Sequence, residues 1–272
     1  MPTETEIKRK YTQEPAEASS RSVLGGPFVD VDLLRLKTFS SVSQDDSPSL
    51  ADTDLSSIEG YDSDDDLALS IPESVRKTRR PLQWEFKGLT VWLEYEEFDR
   101  DLSNAVDHAA RLYGTEGIPV PHSTAIYGME HLTHEEAIER LNKIPTVLSK
   151  WPLMESPRGV TCDISREGQP GQVCTIAWAE LTLRTNDQHE QALDTLHELF
   201  GVTRSGGPWT PHISLAYDNP DDSVLNMSDT LYYVLKNPSL LQPRRVRSIS
   251  LWDTQGKMAE WRCLDRVHLQ YE

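Results

Sequence analysis

The chain has no run of eighteen or more apolar residues in its 272, so the sequence offers no candidate for a membrane-spanning helix. Its first residues, Met1-Pro2-Thr3-Glu4-Thr5-Glu6, form neither the basic nor the apolar segment of an export signal. A soluble, unsecreted protein is the expectation. The cytoplasm is its expected location, with the nucleus open to it if the basic run Arg76-Lys77-Thr78-Arg79-Arg80 serves import. Cysteine is scarce: Cys162, Cys174 and Cys263 are odd in number and lack CxxC spacing. That pattern argues against a disulfide framework and a zinc knuckle. Positive charge is short too, with 27 Lys and Arg against 44 Asp and Glu and a net charge of -17. Such a surface repels polyanions and gives up the counterion release on which long nucleic-acid ligands depend. A small anionic substrate in a local pocket stays compatible with it.

What is present divides the chain in two. From Met1 to about Arg80 the sequence is rich in Ser, Asp and Glu and carries the run Asp62-Ser63-Asp64-Asp65-Asp66. Such a segment buries too little apolar area to offset chain entropy and reads as a disordered tail over 1–80, open to a protein partner through the short apolar piece from Phe28 to Phe39. From Pro81 tryptophans appear and apolar runs become periodic, so 81–272 is the expected folded domain. Strands are predicted at Lys87 to Tyr95, Pro121 to Tyr127, Gly159 to Ile164, Val173 to Leu183, Thr210 to Tyr217, Val246 to Trp252 and Ala259 to Leu269. Helices are predicted at Arg100 to Tyr113, Thr133 to Ile144, Gln188 to Phe200 and Asp229 to Leu235, the second capped by Thr133 with Glu135 and Glu136 in its first turn.

An internal repeat runs through this domain. Val91-Trp92-Leu93-Glu94, a helix, Tyr113-Gly114, a loop and Pro121-His122-Ser123-Thr124-Ala125-Ile126-Tyr127 recur as Ala177-Trp178-Ala179-Glu180, a helix, Phe200-Gly201, a loop and Pro211-His212-Ile213-Ser214-Leu215-Ala216-Tyr217. Tryptophan to glycine is 22 residues in the first copy and 23 in the second, while glycine to histidine is 8 against 11. Length is kept in the helix and varies in the loop, as two homologous lobes would show. Within each copy, histidine and hydroxyl are two apart on a predicted strand, so the pleat turns both to one face. Two such pairs around one phosphate combine imidazoles that titrate near neutrality with hydroxyls that donate to phosphoryl oxygens. For a lone His-x-Ser/Thr tripeptide, a satisfied strand histidine would be the better reading; the recurrence favours a site made by His122, Thr124, His212 and Ser214. His131, His134 and Glu135 lack HExxH spacing, and no metal or cofactor is expected.

These residues resemble the two-histidine phosphoesterase superfamily, marked by two His-x-(Ser/Thr)-x motifs on facing strands. The match runs from about Trp84 to Leu269 and is closer to the cyclic phosphodiesterase branch of plants and fungi. It rests on Val91-Trp92, on Thr210-Pro211-His212-Ile213-Ser214-Leu215-Ala216-Tyr217, and on Leu251-Trp252-Asp253-Thr254-Gln255-Gly256 with Glu260-Trp261-Arg262. The resemblance implies hydrolysis of ADP-ribose 1″,2″-cyclic phosphate or nucleoside 2′,3′-cyclic phosphates, with His122 and His212 sharing acid and base duties. It implies Thr124 and Ser214 on the phosphate, Tyr217 framing it, and Trp92 stacking on the base or bordering the cleft. Tyr217 lies five residues past His212, an odd offset that needs a bulge or a strand end to bring it to the same face. The polar Ser123, where the family has an aliphatic, is expected to face away from the cleft. The expected fold is α+β, two similar lobes at roughly 84–165 and 173–270, intertwined, each an antiparallel sheet with outer helices lining a central cleft. The rival readings are a catalytically idle nucleotide- or RNA-end-binding module and an RNA-processing phosphodiesterase.

Overall fold

The structure, a computed structural model, describes residues 28–30, 80–95, 100–166, 175–204 and 208–271. In chain order its elements are β1 (Phe28–Asp30), β2 (Leu89–Tyr95), α1 (Arg100–Tyr113), β3 (His122–Met129), α2 (His134–Leu141), α3 (Ile144–Val147) and β4 (Gly159–Ser165). β5 (Ile176–Thr182), α4 (Asp187–Phe200), β6 (His212–Asp218), α5 (Met227–Lys236), β7 (Val246–Asp253) and β8 (Arg262–His268) complete the set. The acidic run at 62–66 and the basic residues 76–79 lie outside the described residues.

Local sequence accounts for the helix ends. In α1 the buried residues Leu102, Ala105, Val106, Ala109 and Tyr113 recur at the helical period. α1 stops where Gly114 takes φ 66°, and α4 stops at Gly201 with the same φ, a left-handed cap open to glycine without a Cβ clash. α2 starts on a capping box, Thr133 Oγ1 accepting from the Glu136 N–H and Glu136 Oε2 accepting from the Thr133 N–H. The sequence pattern carries α2 on to Ile144, yet it ends at Leu141. Pro145 is the cause: its ring would meet the Leu141 carbonyl, so the chain turns and starts α3 with the proline in its first turn.

Two antiparallel sheets result, in the orders β3-β2-β7-β8 and β1-β4-β5-β6. The fold is α+β, a sheet in each of two lobes with helices packed on them. Their membership corrects the lobe boundaries read from the repeat. β4, placed in the first half by sequence, pairs with β5, and β7, placed in the second, pairs with β2. Each lobe keeps its own strand-helix-strand unit, β2-α1-β3 or β5-α4-β6, and borrows its remaining strands from outside the unit. The exchange goes further, because α1 packs against β6 and α4 against β3. The segment read as a tail also contributes: Phe28–Asp30 forms β1, antiparallel to β4. A short strand there covers an edge that would otherwise expose unpaired backbone groups.

The core is one continuous cluster running under both sheets, with Val91, Leu93, Leu181, Ile213, Ile249 and Leu251 fully buried. Each such side chain contributes roughly 1.5–3 kcal/mol on leaving water. The edge strands β3 and β6 face one another across the lobes; one hydrogen bond ties them directly and a second reaches β3 from Trp209, just ahead of β6. Ser123, 0% exposed, donates to the His212 carbonyl at 2.9 Å and accepts from the Tyr95 hydroxyl at 2.6 Å. Trp209 Nε1 donates to the Thr124 carbonyl at 3.3 Å. Ser123 does face away from the cleft, as alternation requires, but it holds the second motif's backbone in place. Ser123→Ala strands the Tyr95 hydroxyl and the His212 carbonyl in the interior, at a cost of about 1–3 kcal/mol each before relaxation. Urea unfolding should register a loss of at least about 1 kcal/mol once relaxation is allowed for, and an unchanged midpoint would show that the tie carries no stability.

Candidate active site

Strand register decides which side chains share the cleft. In the first sheet Trp92 stands opposite Thr124 and Glu94 opposite His122. In the second, Glu180 stands opposite Ser214 and Thr182 opposite His212. A residue is skipped in each pairing: Val91 opposes Ile126 while Trp92 opposes Thr124, and Ala179 opposes Ala216 while Glu180 opposes Ser214. Ala125 and Leu215 are therefore equivalent bulges, one after each hydroxyl. The bulge reverses the alternation and brings Tyr217 to the face of Ser214, their hydroxyls 2.8 Å apart. Tyr127, at the matching place, is 51% exposed and its hydroxyl accepts from the Lys87 N–H at 3.1 Å.

The register also shows that the two tryptophans of the repeat are not equivalent in space. Pairing in the second sheet is displaced by two residues, so the place of Trp92 beside the first motif is taken by Glu180 beside the second. Trp178 instead faces Tyr217 and joins a small cluster with Phe86 and Trp261. Phe86 and Tyr217 meet edge to face at 5.7 Å, and a cavity of about 230 Å³ between Arg80, Leu82, Thr115 and Asp218 has Tyr217 as one wall.

The histidines share one tether. His122 Nδ1 lies 2.7 Å from the Val120 carbonyl and His212 Nδ1 lies 3.4 Å from the Thr210 carbonyl, each two residues upstream. A carbonyl only accepts, so it selects the tautomer with hydrogen on Nδ1 and leaves Nε2 for proton transfer. The settings then diverge. His122 is 5% exposed and lies flat on Trp92, ring centroids 3.5 Å apart and planes within 8°. Trp92 is itself 2% exposed and stacks at 4.4 Å on Trp252. With His122 and Trp252 both stacked on it, the indole has no open face for a nucleotide base. Burial pushes the His122 pKa down to about 4, outweighing the Val120 carbonyl and the Glu94 charge, and the nearby His212 lowers it further. The His212 side chain, by contrast, is 40% exposed and its Nε2 lies 3.6 Å from Glu180 Oε2.

Two buried carboxylates complete the surroundings, and neither was singled out from sequence although both lie inside the repeated segments. Glu94 accepts from Ser248, Ser250 and Trp252 Nε1, and it pairs with Arg266 at 2.6 Å. Glu180 has its pKa raised by burial, a shift that the charge of His212 opposes. An acid set within a tryptophan-bearing apolar strand is the signal that would have marked them.

The other candidates are occupied elsewhere. Arg204 is bridged to Glu190 and Asp194, His108 stacks on Tyr233, and His189 bonds the Leu153 carbonyl and the start of α4. His134 pairs with Asp253 at 3.4 Å. Among the described residues no group of three or more His, Cys, Asp or Glu side chains is arranged to hold a metal ion. No described helix is long and apolar enough to cross a membrane.

The depressed His122 pKa has a consequence for stability. A group that binds its proton less well folded than unfolded makes stability rise with pH. Its contribution is complete above the free value of 6.5 and is lost as pH falls toward 4. The loss is on the order of 3 kcal/mol. His122→Phe, which keeps a ring against Trp92, should show a smaller drop in unfolding free energy between pH 7 and pH 4 than the wild type. Equal drops would mean that His122 is not buried in its neutral form.

No protein-family model and no curated protein matches the chain. Solved structures similar to it include E. coli LigT complexed with 3′-AMP, at 13% identity over 69% of this chain and 100% of that one, TM-score 0.41. A phosphoesterase matches at 13% identity over 67% and 98%, TM-score 0.40. Kluyveromyces marxianus Usb1 with uridine monophosphate matches at 9% identity over 67% and 97%, TM-score 0.38. Likeness at that level carries no weight for the chemistry, which rests on the side chains described above.

Proposed function

We propose that the chain is a metal-independent cyclic phosphodiesterase that hydrolyses ADP-ribose 1″,2″-cyclic phosphate, nucleoside 2′,3′-cyclic phosphates or both, leaving a phosphomonoester. The observation that carries this reading is the doubled His-x-Ser/Thr motif on facing edge strands, with both imidazoles held at Nδ1 by the carbonyl two residues upstream. Opening a cyclic phosphate needs a base for the attacking water and an acid for the departing ribose oxygen, in line on opposite sides of phosphorus. His122 is the base, since burial keeps it neutral, and its Nε2 takes a proton from water as the new P–O bond forms. His212 is the acid, giving its Nε2 proton to the ribose oxygen as the ring P–O bond breaks. Thr124 and Ser214 donate to the non-bridging oxygens, and Tyr217, donating to Ser214, frees that hydroxyl for the phosphate.

Incubating the protein with a panel of cyclic phosphates and following products by phosphorus NMR tests the reading. Turnover is expected to survive exhaustive chelation, and His122→Ala or His212→Ala should each lower kcat/KM by on the order of 10²-fold or more. Binding of these nucleotides without turnover would instead favour an idle binding module. The pH profile is a separate check. A base must be unprotonated, so activity falls as pH drops through the His122 pKa, and the acidic limb of kcat/KM should lie near 4. An acidic limb near the free imidazole value would remove His122 from the role of base.

A further inference from the structure

We infer that Glu180 is a positioning residue for His212 that holds this histidine as the cationic, proton-donating member of the pair; the inference rests on the paired-histidine reading above. Its first support is place. Register puts Trp92 opposite Thr124 and Glu180 opposite Ser214, so corresponding sites beside the two histidines hold an indole in one lobe and a carboxylate in the other. An indole over His122 removes water and offers no countercharge, which favours neutral imidazole. A carboxylate beside His212 favours imidazolium.

The second support is distance. At 3.6 Å the Glu180 oxygen lies beyond hydrogen-bond range of His212 Nε2, so the attraction stabilises the cation without committing its proton. That proton stays available to a leaving oxygen. The carboxylate is also enclosed, with its side chain 11% exposed, so water screens the attraction less than at a surface. Charged groups around the pair come from four strands. Burial first and then Asp163 on β4 disfavour the charged form of Glu180, which His212 opposes, and His122 on β3 lies beside His212. Glu94 on β2 acts on His122 and is neutralised by Arg266 on β8. The two buried glutamates thus have different partners, an arginine in one lobe and a histidine in the other.

The test uses the full chain and does not depend on turnover. In Glu180→Gln, which keeps shape and removes charge, the midpoint of the His212 imidazole proton resonance should fall by about one pH unit or more, and Glu180→Asp should restore most of it. In steady state the upper limb of kcat should move down with it, so that at alkaline pH kcat falls roughly tenfold while KM changes little. An unmoved His212 midpoint in a folded Gln variant overturns the inference. Should that variant not fold, carbon NMR of the wild-type Glu180 carboxylate decides, because it must sense the His212 titration at the same midpoint, and silence there also overturns it. A shifted midpoint in a protein that hydrolyses no cyclic phosphate would uphold the pair and defeat the proposed reaction instead.

Discussion

Everything at this site depends on holding two sheet edges together without a shared ladder. β3 and β6 lie at the edges of separate sheets, and an edge strand without backbone partners is ordinarily free to drift or to pair with another chain. Here the relay from Tyr95 through Ser123 to the His212 carbonyl substitutes for that ladder at the residue that carries the second imidazole. Because Ser123 sits between His122 and Thr124, the bond that fixes the second motif is anchored within the first. Motion of one lobe relative to the other would break a buried hydrogen-bond chain. The exchange of helices, α1 against β6 and α4 against β3, adds apolar packing in the same sense, so each motif is supported by the other lobe's helix.

Much of this architecture was legible in the sequence because it is periodic or local. The boundaries of α1 match the observed helix, since Leu102, Val106, Ala109 and Tyr113 repeat at its period and Gly114 closes it. The family resemblance put Tyr217 on the phosphate, parity then called for a bulge or a strand end, and Leu215 is that bulge. What could not be read were choices made between distant segments. Nothing in the repeat specifies that β4 pairs with β5 while β7 and β8 join β2, because all these strands satisfy the same alternation. Sequence alignment likewise equated Trp92 with Trp178. The pairing in space slips by two residues, which leaves facing parity unchanged and so is invisible to a period-2 pattern.

That slip is the physical origin of the difference between the lobes. Duplicated strands carrying the same Trp-x-Glu pattern are read in two registers, and each register brings a different member of the pattern to the histidine. In the first lobe the indole lands on the imidazole and the glutamate is drawn toward Arg266. In the second the glutamate lands beside the imidazole and the tryptophan moves to the Phe86 cluster. One repeated pattern of residues thus yields a buried histidine and a half-exposed one without any change in the histidine motif.

The asymmetry matters because acid-base catalysis by a pair needs one specific protonation state of four. If both histidines titrated independently at a common pKa, the required state, with one chosen ring neutral and the other charged, would never exceed about a quarter of the molecules. Coupling between neighbouring rings disfavours the doubly charged form, but it does not choose which ring keeps the last proton. Environment has to choose. Burial drives the His122 pKa down to about 4, so above that pH His122 is the ring that its surroundings keep neutral, as the proposed base requires. Under the proposed reaction, the register shift between two otherwise matching strands therefore decides which of the two rings serves as the base.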